Sequence, residues 1–254
     1  MDSVTQLIWA LGLMGIAIAL SAWQRLGLEW SLAVATGRTV LQLLVVGYVL
    51  AAVFEFKNPW VVLGLLGVMA TIATIVARNR ISKKIPQLLP LVGGSILTGT
   101  LLTLVYTNLL VIQPPLWYEP RFLIPLTGIV LGNAMNVAAI AGERLVSTLN
   151  ASQLEIETHL CLGATPQQAV AQYRRDAIKA SLIPTLNTMM VIGLVTLPGI
   201  LTGQLLGGAP PLQAVSYQMV IMFMLAFADL VTTSIVTWGI SRKFFNQFDQ
   251  FVLW

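Results

Sequence analysis

Charge is what this sequence has least of. Only 9% of its 254 residues are Asp, Glu, Lys or Arg, against 57% hydrophobic residues and a mean hydropathy of +0.83. An average soluble domain carries roughly 25% charged residues, so there are too few charges here to coat a soluble surface. That argues against a cytosolic enzyme, a nucleic-acid binder and a disordered scaffold. Cysteine occurs once, as Cys161, which excludes a disulfide framework and a Cys-rich metal site. Histidine occurs once, as His159, so no two-His site can form within one chain. The dipeptide Gly-Lys is absent, and with it any G-x-x-x-x-G-K-[ST] phosphate loop. The chain therefore reads as no enzyme and as holding no cofactor of its own. If it pumps, the energy comes from another subunit or from an ion gradient.

What is present is long apolar runs. A membrane span needs about 20 mostly apolar residues to cross a core about 30 Å thick. Seven stretches qualify, at roughly 4–23, 39–56, 59–77, 88–112, 122–141, 182–206 and 214–239. The second and third are so close that a tight hairpin is expected at Lys57-Asn58-Pro59, with proline in the first turn of the next helix. Met1-Asp2-Ser3 lacks Lys and Arg, and the run after it is long for a signal peptide, so a retained helix is expected. With the N-terminus outside, Arg25, Arg38, Arg78, Arg80, Lys83, Lys84, Arg144, Arg174, Arg175, Lys179, Arg242 and Lys243 fall inside. That is twelve of the fourteen basic residues; only Lys57 and Arg121 fall outside. Cytoplasmic loops collect positive charge. The expected fold is therefore all-α and polytopic, with seven spans, N-out and C-in, forming one permease domain over 1–254. The net charge of +4 and pI near 9.5 become an orientation signal, and no nucleic-acid partner is expected.

One loop is long, about 142–181, and it holds much of the charge, including Glu143, Arg144, Glu155, Glu157, Arg174, Arg175, Asp176 and Lys179. It keeps helical periodicity: Leu145, Leu149, Ile156 and Leu160 share one face, and Val170, Tyr173 and Ala177 another. Between them lies Leu162-Gly163-Ala164-Thr165-Pro166-Gln167-Gln168. Gly163 suits a helix C-terminus, Thr165 an N-cap, Pro166 the first helical position and Gln168 the reciprocal arm of a capping box. A helix–turn–helix on the cytoplasmic side is expected.

The run from Glu157 to Gly163, continuing through Ala164-Thr165-Pro166, resembles the cytoplasmic "EAA" loop of ABC transporter permeases, with Thr158 and His159 in place of the two alanines. Further stretches resemble one permease family, the FetB type of iron-export permeases, related to plant aluminium-tolerance permeases. They are Arg38-Thr-Val-Leu-Gln42-Leu, Ile124-Pro125 through Gly128, Gly132, Asn133 and Asn136, Ile183-Pro184-Thr-Leu-Asn187, and Gly193-Leu-Val-Thr-Leu-Pro198-Gly199 through Gly203-Gln. The likeness covers about residues 30–240. It implies a homodimeric permease in the plasma membrane, paired with a separate ATP-binding subunit that binds the ATP and Mg. It also implies that Glu157, Leu162, Gly163, Ala164, Thr165 and Pro166 couple to that subunit.

Several residues inside the spans are candidates for a pathway or gate. Asp229 is the one acidic residue deep in a span, where a charge costs roughly 2.5–3.5 kcal/mol on insertion scales. It is either a cation or proton site, or a packing carboxylate bonded to Thr232 or Thr233. Arg38 opens the second span with Gln42 one turn deeper, either snorkelling or gating. Asn133 and Asn136 sit beside Gly128-x-x-x-Gly132, a spacing that permits close helix approach; they either join helices by hydrogen bonds, the safer reading, or line a path, and Asn187 sits similarly in span six. Pro198-Gly199 interrupts span six, and Gly199, Gly203 and Gly207 recur every four residues; interrupted spans line cavities in transporters. Met189, Met190, Met219, Met222 and Met224 read as flexible packing rather than soft-metal ligands, and His159 and Cys161, two residues apart, point to different helix faces. Metal ligands stay unassigned.

The leading reading is the permease subunit of an ABC transporter exporting metal ions such as iron, driven through the 157–168 turn. The alternative is a self-sufficient secondary transporter or channel coupled through Asp229. A membrane assembly subunit that transports nothing is the third.

Overall fold

The structure is a computed structural model that describes residues 3–56, 58–114 and 116–254. Met1 and Asp2, and Lys57 of the expected hairpin, lie outside the described residues. The described residues form ten α-helices and fall into two compact units, Met1–Asn58 and Pro59–Trp254.

The first unit pairs α1 (Ser3–Trp23) with α2 (Glu29–Phe56). Arg25 and Gly27 both take left-handed backbone in the connection (φ 54° and 70°), and the Ser21 hydroxyl donates to Glu29 Oε1 at 3.0 Å across it. Here the sequence reading needs correction. The helix containing the second span starts at Glu29, not at 39, so Arg38 lies within it rather than at its mouth. Arginine ends a hydropathy window but is a good helix former, so the charge marked a hydropathy edge and not a helix end.

The second unit contains α3 (Pro59–Ile81), α4 (Leu88–Tyr106), α5 (Pro120–Ala151), α6 (Gln153–Cys161), α7 (Pro166–Ala169), α8 (Ala171–Val191), α9 (Gly199–Leu206) and α10 (Pro211–Lys243). A π-helical turn, Thr107–Ile112, continues α4. Among the described residues, α2, α3, α4 with its π-helical turn, α5 and α10 are long and apolar enough to cross a membrane. The segment read as one span at 182–206 is two helices. The first half of α8 carries Arg174, Arg175, Asp176 and Lys179, and the chain leaves helical conformation between Val191 and Gly199.

The core lies where α10 and α5 pack against each other and against α3, α4 and α8. Small residues bring these helices close. A Cβ at Gly99 of α4 would collide with Thr232 Oγ1 and lie 3.0 Å from the Ala228 carbonyl, both on α10. A Cβ at Gly142 of α5 would stand 2.6 Å from Ile81 Cδ1. The glycines that the spacing singled out do less: Gly128 meets only the end of Met69, and Gly132 faces open space. Leu145, Leu149 and Ile156 are fully buried, as are Val170 and Ala177 at about 1% exposure. The periodic faces of the 142–181 stretch are thus part of the core. Its first ten residues complete α5, because nothing in Gly142–Ala151 breaks a helix.

After α10 the chain turns back. Asn246 builds the turn: its Oδ1 accepts from the backbone N–H of Phe248 and Gln250 at 2.9 and 3.0 Å, and Asp249 takes left-handed backbone (φ 57°). Phe251 then packs on Phe244 and Phe245. The Trp254 indole donates to the Lys243 carbonyl at 2.8 Å, and the Asn150 amide donates to the Trp254 carbonyl at 2.9 Å. The ends of α5 and α10 are thereby tied at one end of the unit.

Candidate functional site

The turn between α6 and α7 is built from local signals. α6 ends in a Schellman motif, in which the Ala164 N–H reaches the His159 carbonyl and the Gly163 N–H the Leu160 carbonyl, each at 3.0 Å. Gly163 holds φ +90°, a conformation a side chain resists. α7 opens with a complete capping box: the Thr165 hydroxyl accepts from the Gln168 N–H at 3.3 Å, and Gln168 Oε1 accepts from the Thr165 N–H at 2.9 Å. Pro166 occupies the first turn. The turn is therefore stiff, and Leu162 at its tip is 80% exposed. Ala164 lies half-buried behind that tip. Glu157 faces back along α6 and accepts from the Gln153 amide at 2.8 Å. His159 and Cys161 are both exposed on the same short helix. Where α8 departs from the turn, burial lowers the Arg174 guanidinium from its ordinary pKa, and its Nε lacks a partner.

The second feature is a polar tie under a cavity. Asp229 on α10 is fully buried. Its Oδ2 accepts from Thr185 Oγ1 on α8 at 2.6 Å and from Asn133 Nδ2 on α5 at 2.9 Å, while its Oδ1 has no partner among the described residues. The intrahelical partners expected from the sequence are not used. Thr233 donates to the Asp229 backbone carbonyl at 2.8 Å, and Thr232 Oγ1 is unpaired. One carboxylate oxygen thus holds three helices together.

A cavity of about 420 Å³ opens above this tie between α5, α8, α9 and α10, lined by Asn133, Thr185, Thr188, Pro198, Gly199 and Gln218 with apolar neighbours. Gln218, on the same face of α10 as Asp229 and three turns away, is buried, and its Oε1 has no partner. Sequence reasoning missed Thr185 and Gln218, because a lone Thr or Gln in an apolar run carries no signal by itself. The break beside the cavity includes the expected Pro198 but begins earlier, after Val191. Gly193 turns the chain with φ +79°, its N–H reaching the Thr196 carbonyl at 2.9 Å. Pro198 then precedes α9 and Gly199 is its first residue. Among the described residues, a Cβ added at Gly199 or Gly203 would meet nothing within 4 Å.

The other candidates stand apart. Asn136 is exposed, one turn beyond Asn133, and accepts from Arg80 at 3.4 Å. Asn187 is exposed on α8, and Arg38 and Gln42 are exposed on α2 in the first unit. Met222 and Met224 are buried in the apolar cluster between α5 and α10, against which Met189 packs, while Met190 is 71% exposed. Among the described residues, no three His, Cys, Asp or Glu side chains converge on a metal-sized site.

Comparison with known proteins sets this arrangement in a family. The uncharacterised protein family UPF0014 matches residues 4–245. The UPF0014 membrane protein slr1647 of Synechocystis is 54% identical over 245 residues, covering 96% of this chain and 95% of the relative. Protein ALUMINUM SENSITIVE 3 of Arabidopsis thaliana is 36% identical, over 91% of this chain and 84% of the relative. The probable iron export permease protein FetB of Escherichia coli is 34% identical, over 96% and 93%. No solved structure matches the chain. The match over nearly the whole length, to relatives named as membrane proteins and to the FetB type that the motifs resemble, makes this chain a multi-pass membrane protein of the UPF0014 family.

Proposed function

We propose that this chain is the permease subunit of an ABC transporter: seven spans with the N-terminus outside and the C-terminus in the cytoplasm, working as a homodimer with a separate ATP-binding subunit. The cargo is a metal ion such as iron, moved outward. The direction and cargo lean on the name of the Escherichia coli relative. ATP and Mg belong to the partner, and this chain supplies the path.

The observation that carries the reading is the continuity of α8. This helix begins two residues after α7, at the stiff turn, and bears Thr185 on its inner face beside the cavity. Twenty-one residues span about 30 Å, so a push on the turn arrives at Thr185 as a displacement against Asp229 and Asn133. Short hydrogen bonds shared among three helices switch between discrete partners rather than stretching smoothly. The non-helical stretch at 192–198 lets α8 move without dragging α9.

The test is co-expression with candidate ATP-binding subunits from the same organism, then ATPase and vesicle transport assays with candidate metals. Copurification, metal-stimulated hydrolysis and ATP-dependent transport are expected. Absence of any associated ATPase defeats the proposal.

The orphan Oδ1 of Asp229 favours a second reading, in which this carboxylate couples transport to an ion gradient. Asp229→Asn separates the two. The amide keeps an oxygen for Thr185 and Asn133 but loses ionisable character. Transport that survives within about threefold, on the order of 0.7 kcal/mol, supports the tie; loss of gradient-driven transport that needs no ATPase supports the coupled carrier.

A further inference from the structure

Building on the docking reading above, we propose that the ATP-binding subunit is gripped by two elements: the α6–α7 turn and the folded-back segment after α10, with Phe248 as an apolar anchor and Asp249 as a charged one.

The two elements share one groove. Thr165, Gln167 and Val170 form one wall of a cavity of about 550 Å³, and Arg242, Phe245 and Asp249 form the other. A partner that covers the turn therefore meets the segment as well. Size makes the same demand. A specific interface takes about 800 Å² and some 20–30 residues from each partner. The turn from Glu157 to Gln168 has twelve residues, and Ile156 and Val170 at its flanks are buried in the permease itself. The turn alone falls short, and the segment across the groove is the surface continuous with it.

The segment is also built for such a role. Its hydrogen bonds to Asn150 and Lys243, and the packing of Phe251, fix it to the ends of α5 and α10 before any partner arrives, so docking costs little ordering entropy. Phe248 nevertheless points away from this packing and is 80% exposed, as are Leu162 (80%) and Leu154 (79%) on α6. All three lie outside the helices apolar enough to cross a membrane, and Leu162 belongs to the turn and Phe248 to the segment that share the groove. The matching surface on the ATP-binding subunit is a shallow apolar pocket edged by a basic side chain that meets Asp249.

The experiment places the photo-crosslinking residue p-benzoylphenylalanine at position 162 or 248 of the full chain, co-expressed with the tagged ATP-binding subunit that copurifies with it. Adducts to that subunit from both positions are expected, and Phe248→Ala with Asp249→Asn, which removes the charge but suits the left-handed backbone at 249, should lower its copurification at least fivefold. Both substituted side chains are exposed, so the permease itself should retain its yield and melting temperature. An adduct from 162 with none from 248, or with 248 caught only on lipid or a second permease, overturns the two-element grip and leaves the turn as the dock. Adducts from neither position overturn the docking reading itself.

Discussion

Asp229 shows how much one side chain can organise. A carboxylate at this depth, without a basic partner among its hydrogen-bonding neighbours, is held by a hydroxyl and an amide from two other helices. Removing one such donor leaves a buried acceptor short of a bond, which costs about 1–3 kcal/mol. Thr185→Val keeps the shape and should lower stability by that amount, read as a lower unfolding temperature in detergent. Combined with Asn133→Ala, the loss should differ from the sum of the single losses, because both donors serve the same oxygen and only the double variant leaves it bare. Strict additivity in that double-mutant cycle would mean that the three residues do not form one tie. Of this tie the sequence singled out Asp229 and Asn133, but neither their pairing nor Thr185. The partners of Asp229 stand 44 and 96 positions away, and chain periodicity carries no information about which helices become neighbours. The intrahelical Thr232 and Thr233 were the reasonable choices at sequence range, and tertiary packing overrode them.

At the scale of elements, the turn was legible and the break only partly so, for one reason. Caps are written in consecutive residues: Gly163, Thr165, Pro166 and Gln168 specify their bonds within six positions. The break in the sixth span depends on Gly193 adopting left-handed backbone, and nothing adjacent distinguishes Gly193 from the helical glycines of the same chain. The more conspicuous Pro198-Gly199 drew attention to the far end of the loop. Two predictions belong here. Thr165→Ala removes half of the capping box and should cost about 1 kcal/mol of local stability, visible as faster amide exchange over α7, with transport per ATP hydrolysed falling while the protein still accumulates in the membrane. Gly99→Ala drives a methyl into Thr232 Oγ1 and toward the Ala228 carbonyl, and overpacking of this kind costs about 1–3 kcal/mol. Thr232→Ala in the same chain should recover part of that loss, because it removes the first atom struck. If it recovers none, the contact between α4 and α10 is not what limits residue size at position 99.

For the whole molecule, the decisive matter is which ends of the helices share a side of the membrane. The Asn150–Trp254 hydrogen bond and the groove between Thr165 and Arg242 put the end of α5, the α6–α7 turn and the end of α10 together. The chain between them must therefore travel away and return. α10 is the long return, so α8 and α9 with the loop between them make the outward journey, although neither has the length and hydropathy of an ordinary span. This supports counting 182–206 as a crossing despite its break, the count under which twelve of the fourteen basic residues are expected on one face. The single native cysteine tests it without disturbing the fold, since Cys161 is exposed beside the turn. A membrane-impermeant maleimide should label Cys161 in inside-out vesicles and leave it unlabelled in intact cells. In a Cys161→Ser background, Phe248→Cys should follow the same pattern, and Glu119→Cys, before α5, should show the reverse. Labelling of positions 161 and 248 from opposite sides would require α10 to cross alone, and would separate the two elements that the groove joins.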